Sequence, residues 1–161
     1  MKLTYLLLFL ILFSSSQALE LSCKFEEVYQ NGQVQQGFFL IKNNKIRYQY
    51  KDDNLFTIFH FHNQTNIVNN SNKSDIKEIT EEANIFFQII KISKEYPNFK
   101  KNYSFEDLEI YIEDSNNNSF IKRMIVLSPK VNLSIYFQEC HNKNIIDIYF
   151  QPKPYFNYKF Q

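Results

Sequence analysis

Three histidines, two cysteines and a few adjacent carboxylates are the residues of this sequence whose types could do chemistry. His60 and His62 lie two apart on one strand face, which could make half of a metal site. His141 is far away in sequence, so the ordinary reading is exposed polar residues at a strand end, and no metal is expected. No serine stands in a nucleophile-elbow context and there is no Cys-x-x-Cys. The acid pairs Asp52-Asp53 and Glu26-Glu27 fall in turns or on wet faces, where solvation explains them. Two glycines in 161 residues exclude Gly-rich phosphate loops and dinucleotide fingerprints. Neither an enzyme nor a cofactor is expected.

Cys23 and Cys140 are the two cysteines. An oxidising compartment would let them pair, and the long loop would then contribute ~4–5 kcal/mol. Two separate half-buried thiols are an equal alternative. Glu20, three residues before Cys23, stands where a lipoprotein anchor signal wants an aliphatic residue.

Those side chains must be placed by a chain with a leader. Lys2 begins a positive region, Leu3 to Phe13 is an almost unbroken apolar run, and Ser16-Gln17-Ala18 is a small-x-small cleavage site. Residues 1–18 therefore read as a signal peptide cut between Ala18 and Leu19, and residues 19–161 as a single domain. No later stretch approaches the ~20 apolar residues that spanning a bilayer requires. An exported, soluble protein is expected. Eighteen basic residues against 17 acidic ones give a net charge of +1, so no electrostatic argument points to nucleic acid or an anionic membrane. The abundance of Asn, Ile, Lys, Phe and Tyr matches AT-rich codons, and Lys-for-Arg choices carry little functional meaning.

Alternation fixes the elements. Leu21, Cys23, Phe25 and Tyr29 alternate with polar residues, and Asn31-Gly32 is a strong hairpin signal. Val34 to Ile41, Ile46 to Tyr50, Leu55 to Phe61 and a short Ile67-Val68 strand continue a five-stranded meander, with the polar loop His62 to Asn66 before its last strand. Thr80 can cap a helix carrying Glu81 and Glu82 in its first turn, with Ile85, Phe86, Ile89, Ile90 and Ile92 on one face and Pro97 at its end. Strands resume after Ser104: Leu108 to Glu113, the Asn116-Asn117-Asn118 turn, Phe120 to Leu127, Val131 to Gln138, and Ile146 to Phe150. The fold class is mainly β (α+β), a curled antiparallel sheet of nine or ten strands forming an unclosed barrel with one main covering helix. Clean alternation predicts one apolar and one wet face per strand. One helix is little cover for some thirty apolar positions, so the sheet either closes on itself or leaves an apolar hollow suited to an acyl ligand. Candidate lining residues are Phe39, Tyr48, Ile58, Phe86, Ile110, Ile112, Leu133, Ile135 and Phe137.

The segment from Gln36-Gly37-Phe38-Phe39-Leu40-Ile41-Lys42-Asn43-Asn44-Lys45 to Ile46-Arg47-Tyr48-Gln49-Tyr50 resembles the outer-membrane lipoprotein carrier proteins (LolA-like). That family reads there as Gly, an apolar strand, Lys-Arg-Pro, a gap and a basic-aromatic strand. Asn132 to Phe137, Asn144 to Phe150 and Pro152-Lys153-Pro154 are similar to the family's ending. Order and spacing agree from Leu21 to Tyr158. The resemblance implies an unclosed barrel whose cavity carries the acyl chains of lipoproteins through the periplasm, from an inner-membrane release complex to an outer-membrane receptor. It implies a monomer doing no covalent chemistry. Asn43 stands where the family has the arginine that holds its lid closed, and only Leu19 and Glu20 precede the first strand where the family has an amphipathic helix. Phe156 replaces a terminal glycine. A rival reading rests on six Asn-x-Ser/Thr sequons, at Asn63, Asn69, Asn72, Asn102, Asn117 and Asn132: a secreted β-rich interaction or adhesion module, or another small lipid-binding protein without a transfer role.

Overall fold

A computed structural model describes residues 20–79, 85–115 and 120–160. The expected signal peptide, the Thr80 cap with Glu81 and Glu82, and the Asn116-Asn117-Asn118 turn lie outside the described residues. Ten strands run in order: β1 (Glu20–Tyr29), β2 (Val34–Lys42), β3 (Lys45–Tyr50), β4 (Phe56–Phe61), β5 (Gln64–Asn69), β6 (Ile76–Ile79), β7 (Asn102–Phe105), β8 (Leu108–Asp114), β9 (Ile121–Leu127) and β10 (Asn132–Asn142). One helix, α1 (Ile85–Ser93), separates β6 from β7. All ten strands form one antiparallel sheet in the order β6-β5-β4-β3-β2-β1-β10-β9-β8-β7. The first and last strands meet in its middle, and the sheet is not closed. Among the described residues it is the unclosed antiparallel barrel with one α-helix that the alternation predicts.

The chain leaves one edge strand, β6, and re-enters at the other, β7. The helix between them carries Ile89, Ile90 and Ile92 into the apolar cluster of the sheet's concave face. It therefore covers that face with isoleucines, as their spacing requires. The β1–β2 turn needs Gly32, whose φ is +82°. Gly37 is needed for a different reason. A Cβ there would lie 2.1 Å from the Gln49 carbonyl oxygen and 2.3 Å from the Phe25 ring.

Cys23 on β1 and Cys140 on β10 are joined by a disulfide across the sheet's centre. That bond is consistent with an exported protein. Among the described residues no helix is long and apolar enough to cross a membrane.

Three expectations are corrected. The stretch Ile146 to Phe150 is not a strand: Asp147–Phe150 is a single 3-10 turn. The loop placed over His62 to Asn66 is only a two-residue turn, and β6 and β7 are strands that the hydrophobic pattern missed because each is four residues long. The rule of one wet face per strand fails for β2, β3 and β4. Leu40, Arg47, Thr57 and Phe59 point away from the concave face, yet all are fully buried. The segment after β10 packs across that convex face, where Leu40, Ile145, Phe150 and Tyr158 form a second small core.

Candidate ligand-binding face

Alternate residues of β1–β4 and β8–β10 reach the concave face, and these nine candidate positions gather there. Phe39, Tyr48, Ile58, Ile110, Ile112, Leu133, Ile135 and Phe137 are buried in one continuous cluster, and Phe86 of α1 is half-buried against it. The residues meet ring to ring. Phe39, Phe120 and Phe137 have centroids 5.2–5.4 Å apart, and Phe25 stacks on Tyr48 at 4.0 Å. Phe86 bridges Tyr48 and Phe56 at 5.8 Å each. Tyr96 and Phe99, in the loop after the helix, pack on Phe120.

A buried polar cluster sits within this apolar face, and the sequence reading missed it. The sequence reading puts Glu27 in a turn or on a wet face. It lies instead on the concave side with 1% exposure, because Phe25, Tyr48 and Tyr50 pack around it. Its carboxylate accepts hydrogen bonds from the hydroxyls of Tyr48 (2.6 Å), Tyr29 (2.8 Å) and Tyr50 (2.9 Å). Burial pushes the Glu27 carboxyl up from its ordinary value, and the three hydroxyls pull it back in part. Burial and the nearby carboxylate raise all three tyrosines, so they stay protonated donors. A signal was available: Glu27 has the same strand parity as Cys23 and Phe25.

His60 and His62 do not converge. His60 faces inward from β4. Its Nδ1 lies 2.9 Å from the Thr65 hydroxyl, and its Nε2 accepts from the Lys94 ammonium at 2.9 Å. Burial, then the Lys94 charge, lowers His60 to about 4. His62 lies beyond the strand end with φ of 50°. Among the described residues no three His, Cys, Asp or Glu side chains come together as a metal site.

The convex face is held differently. The Glu20 carboxylate accepts from the Ile145 N–H at 2.8 Å, and Lys42 donates to the Ile145 carbonyl at 2.7 Å. Lys42 and Lys45 both pair with Asp147. Arg47 donates to the Tyr149 carbonyl at 2.9 Å, with its guanidinium 5.0 and 5.1 Å from the rings of Phe59 and Tyr155. Asn43, in the β2–β3 turn, has φ of 53°, a left-handed conformation that asparagine tolerates and a β-branched residue would not.

Among the described residues, the concave arrangement offers an apolar surface that encloses the Glu27 carboxylate. No family model matches this chain, and no curated protein matches it.

Proposed function

We propose that the protein is a non-enzymatic carrier that holds lipoprotein acyl chains against its concave face in the periplasm and passes them towards the outer membrane. The observation that carries this reading is the gathering of the nine candidate residues into one apolar cluster under a single helix. The LolA-like resemblance of the β2–β3 segment supplies the direction of transfer and its partners: an inner-membrane release complex and an outer-membrane receptor. The contacts of α1 with the sheet through Phe86, Ile89, Ile90 and Ile92 are apolar and non-directional. An acyl chain can replace them one for one as the helix lifts, recovering ~25 cal/mol for each Å2 of apolar surface it buries. Release needs only the reverse exchange. The disulfide ties β1 to β10 while the edge nearest the helix moves.

A second reading has its own observation. The rings of Phe39, Phe120 and Phe137 already fill one another's space, as in a packed core. That favours a secreted β-rich interaction module whose concave face is packed core. A fluorescent fatty-acid probe separates the two. The carrier reading expects binding that a lipopeptide displaces. It also expects Ile110→Glu and Phe137→Glu to lose binding while keeping the β-type circular dichroism. No binding at high micromolar protein, together with unfolding of both Glu variants, would leave the packed-core reading standing.

A further inference from the structure

The sheet ends at β7, which pairs only with β8 among the described residues. The two-residue turn Glu106-Asp107 makes Phe105 and Leu108 a hydrogen-bonded pair of the antiparallel ladder. Alternation makes Tyr103 and Ile110 the next such pair. The bond from the Ile112 N–H to the Lys101 carbonyl, at 2.9 Å, continues the same phase. Asn102 and Ser104 therefore direct their backbone N–H and C=O groups away from β8, to the open edge.

A groove of about 240 Å3 runs beside that edge, between β7 and the end of α1. Ile92, Tyr103 and Phe105 supply its apolar surface, and Lys91 and Lys100 flank it. The two ammonium groups stand over the rings, Lys91 5.7 Å from Phe105 and Lys100 5.8 Å from Tyr103. Glu95, the one carboxylate lining the groove among the described residues, accepts from the Tyr103 hydroxyl at 2.8 Å. Among the described residues neither lysine forms an ion pair.

We propose that this edge docks an extended, acidic segment of another protein. The segment adds as an eleventh strand on Asn102 and Ser104. It places an apolar side chain in the groove and a carboxylate between Lys91 and Lys100. Short, lysine-bearing edges also discourage pairing. Here the lysines lie over rings behind the strand, where they flank an apolar groove instead of blocking the backbone. The groove uses none of the nine acyl-chain candidates and shares only Ile92 with the helix contacts that the carrier reading exchanges; the peptide test uses no lipid, so the two proposals fail separately.

The test uses two fluorescein-labelled octapeptides, one alternating glutamate with valine and one alternating lysine with valine. Amide hydrogen exchange at Asn102 and Ser104 is read by NMR. The Glu-Val peptide is expected to slow both amides at least tenfold, and the Lys-Val peptide to leave them unchanged. The double variant Lys91→Glu/Lys100→Glu should reverse that preference. Ser104→Pro removes an outward donor without taking a bond from β8, so it should abolish peptide binding with the circular dichroism retained. No slowing at ~1 mM Glu-Val peptide, which corresponds to binding weaker than about 4 kcal/mol, would overturn the proposal. So would an equal response to both peptides, or unimpaired binding by Ser104→Pro. Slowing without peptide that grows with protein concentration would overturn it in favour of a second copy of this chain.

Discussion

On the concave face, Phe39, Phe120 and Phe137 meet ring to ring and α1 lies over the sheet through isoleucines and Phe86. On the convex face, the C-terminal segment is tied to β1–β4 by named donors and acceptors: Glu20 and Lys42 to the backbone of Ile145, Arg47 to Tyr149, Ser22 to Tyr158 and Thr57 to Tyr155. Apart from the Lys94–His60 hydrogen bond at the end of α1, those concave contacts are apolar, and the two coverings are held by different physics. Apolar contact is non-directional and tolerates a change of partner. A buried hydrogen bond fixes its partner, because a donor or acceptor left unmatched costs ~1–3 kcal/mol. The carrier proposal rests on that difference: it needs a concave covering that can be exchanged, while the convex covering is fixed by its partners.

Ending the chain after Lys143 should have the largest effect. Leu40 and Phe59 would return to water, and the burial of Ile145 and Phe150 would be lost. At ~1.5–3 kcal/mol for each large apolar side chain the loss is about 6–12 kcal/mol, close to the whole stability of an ordinary domain. Loss of a cooperative urea transition is the expected result. A truncated chain that unfolds like the full one would mean that the convex covering is dispensable and would break the comparison.

Arg47 sharpens it at a smaller scale. Its guanidinium is fully buried, burial lowers its pKa, and no carboxylate pairs with it among the described residues. Arg47→Ala opens a hole between Phe59 and Tyr155 and should cost about 3 kcal/mol. Arg47→Met keeps the volume and removes a desolvated charge, so the change should stay within ~1 kcal/mol. Urea midpoints of the two variants check this. If Met costs as much as Ala, the hydrogen bond to Tyr149 matters more than the packing.

The last pair of effects is in the pH dependence, and the two run in opposite directions. The folded state raises the Glu27 carboxyl above its ordinary 4.5 and so binds that proton more tightly than the unfolded chain does. Stability therefore falls as pH rises from 4.5 through the folded value. His60 is lowered from 6.5 to about 4, so the unfolded chain binds more protons in that window and stability falls as pH drops through it. Glu27→Gln should remove the first loss and His60→Gln the second, read as urea midpoints from pH 4 to 8. An unchanged pH profile in Glu27→Gln would show that its three tyrosine hydroxyls hold the carboxylate as well as water does.

Much of the architecture was legible because strand alternation and turn residues are local signals. Leu108 to Glu113 and Val131 to Gln138 read as strands directly, and the parity of Tyr48, Ile110 and Ile135 placed them on one face. Even Phe39, in a run of four apolar residues, belongs with them. Leu40 beside it belongs to the other core, and nothing local distinguishes the two. In such a run the strand pattern cannot say which residue faces which way.

Glu27 shows where local reading ends. Its neighbour Glu26 is a half-buried carboxylate that accepts from the Gln36 side chain, and strand parity separates the two by face without saying that either carboxylate is enclosed. What encloses Glu27 is the approach of Tyr48 and Tyr50, more than twenty residues away, which supply hydroxyls only once β1, β2 and β3 are paired. The pairing of Cys23 with Cys140 was an even choice until β10 was laid beside β1. The sequence by itself determined the longer strands, the apolar face of the helix and the alternating apolar residues that must leave water, because those depend on side-chain period and backbone preference. Only the tertiary structure decided which strand borders which, which carboxylate is enclosed, what covers the convex face and where the sheet stays open. Those outcomes depend on contacts between residues up to 136 positions apart, whose free energy exists only when the whole sheet has curled.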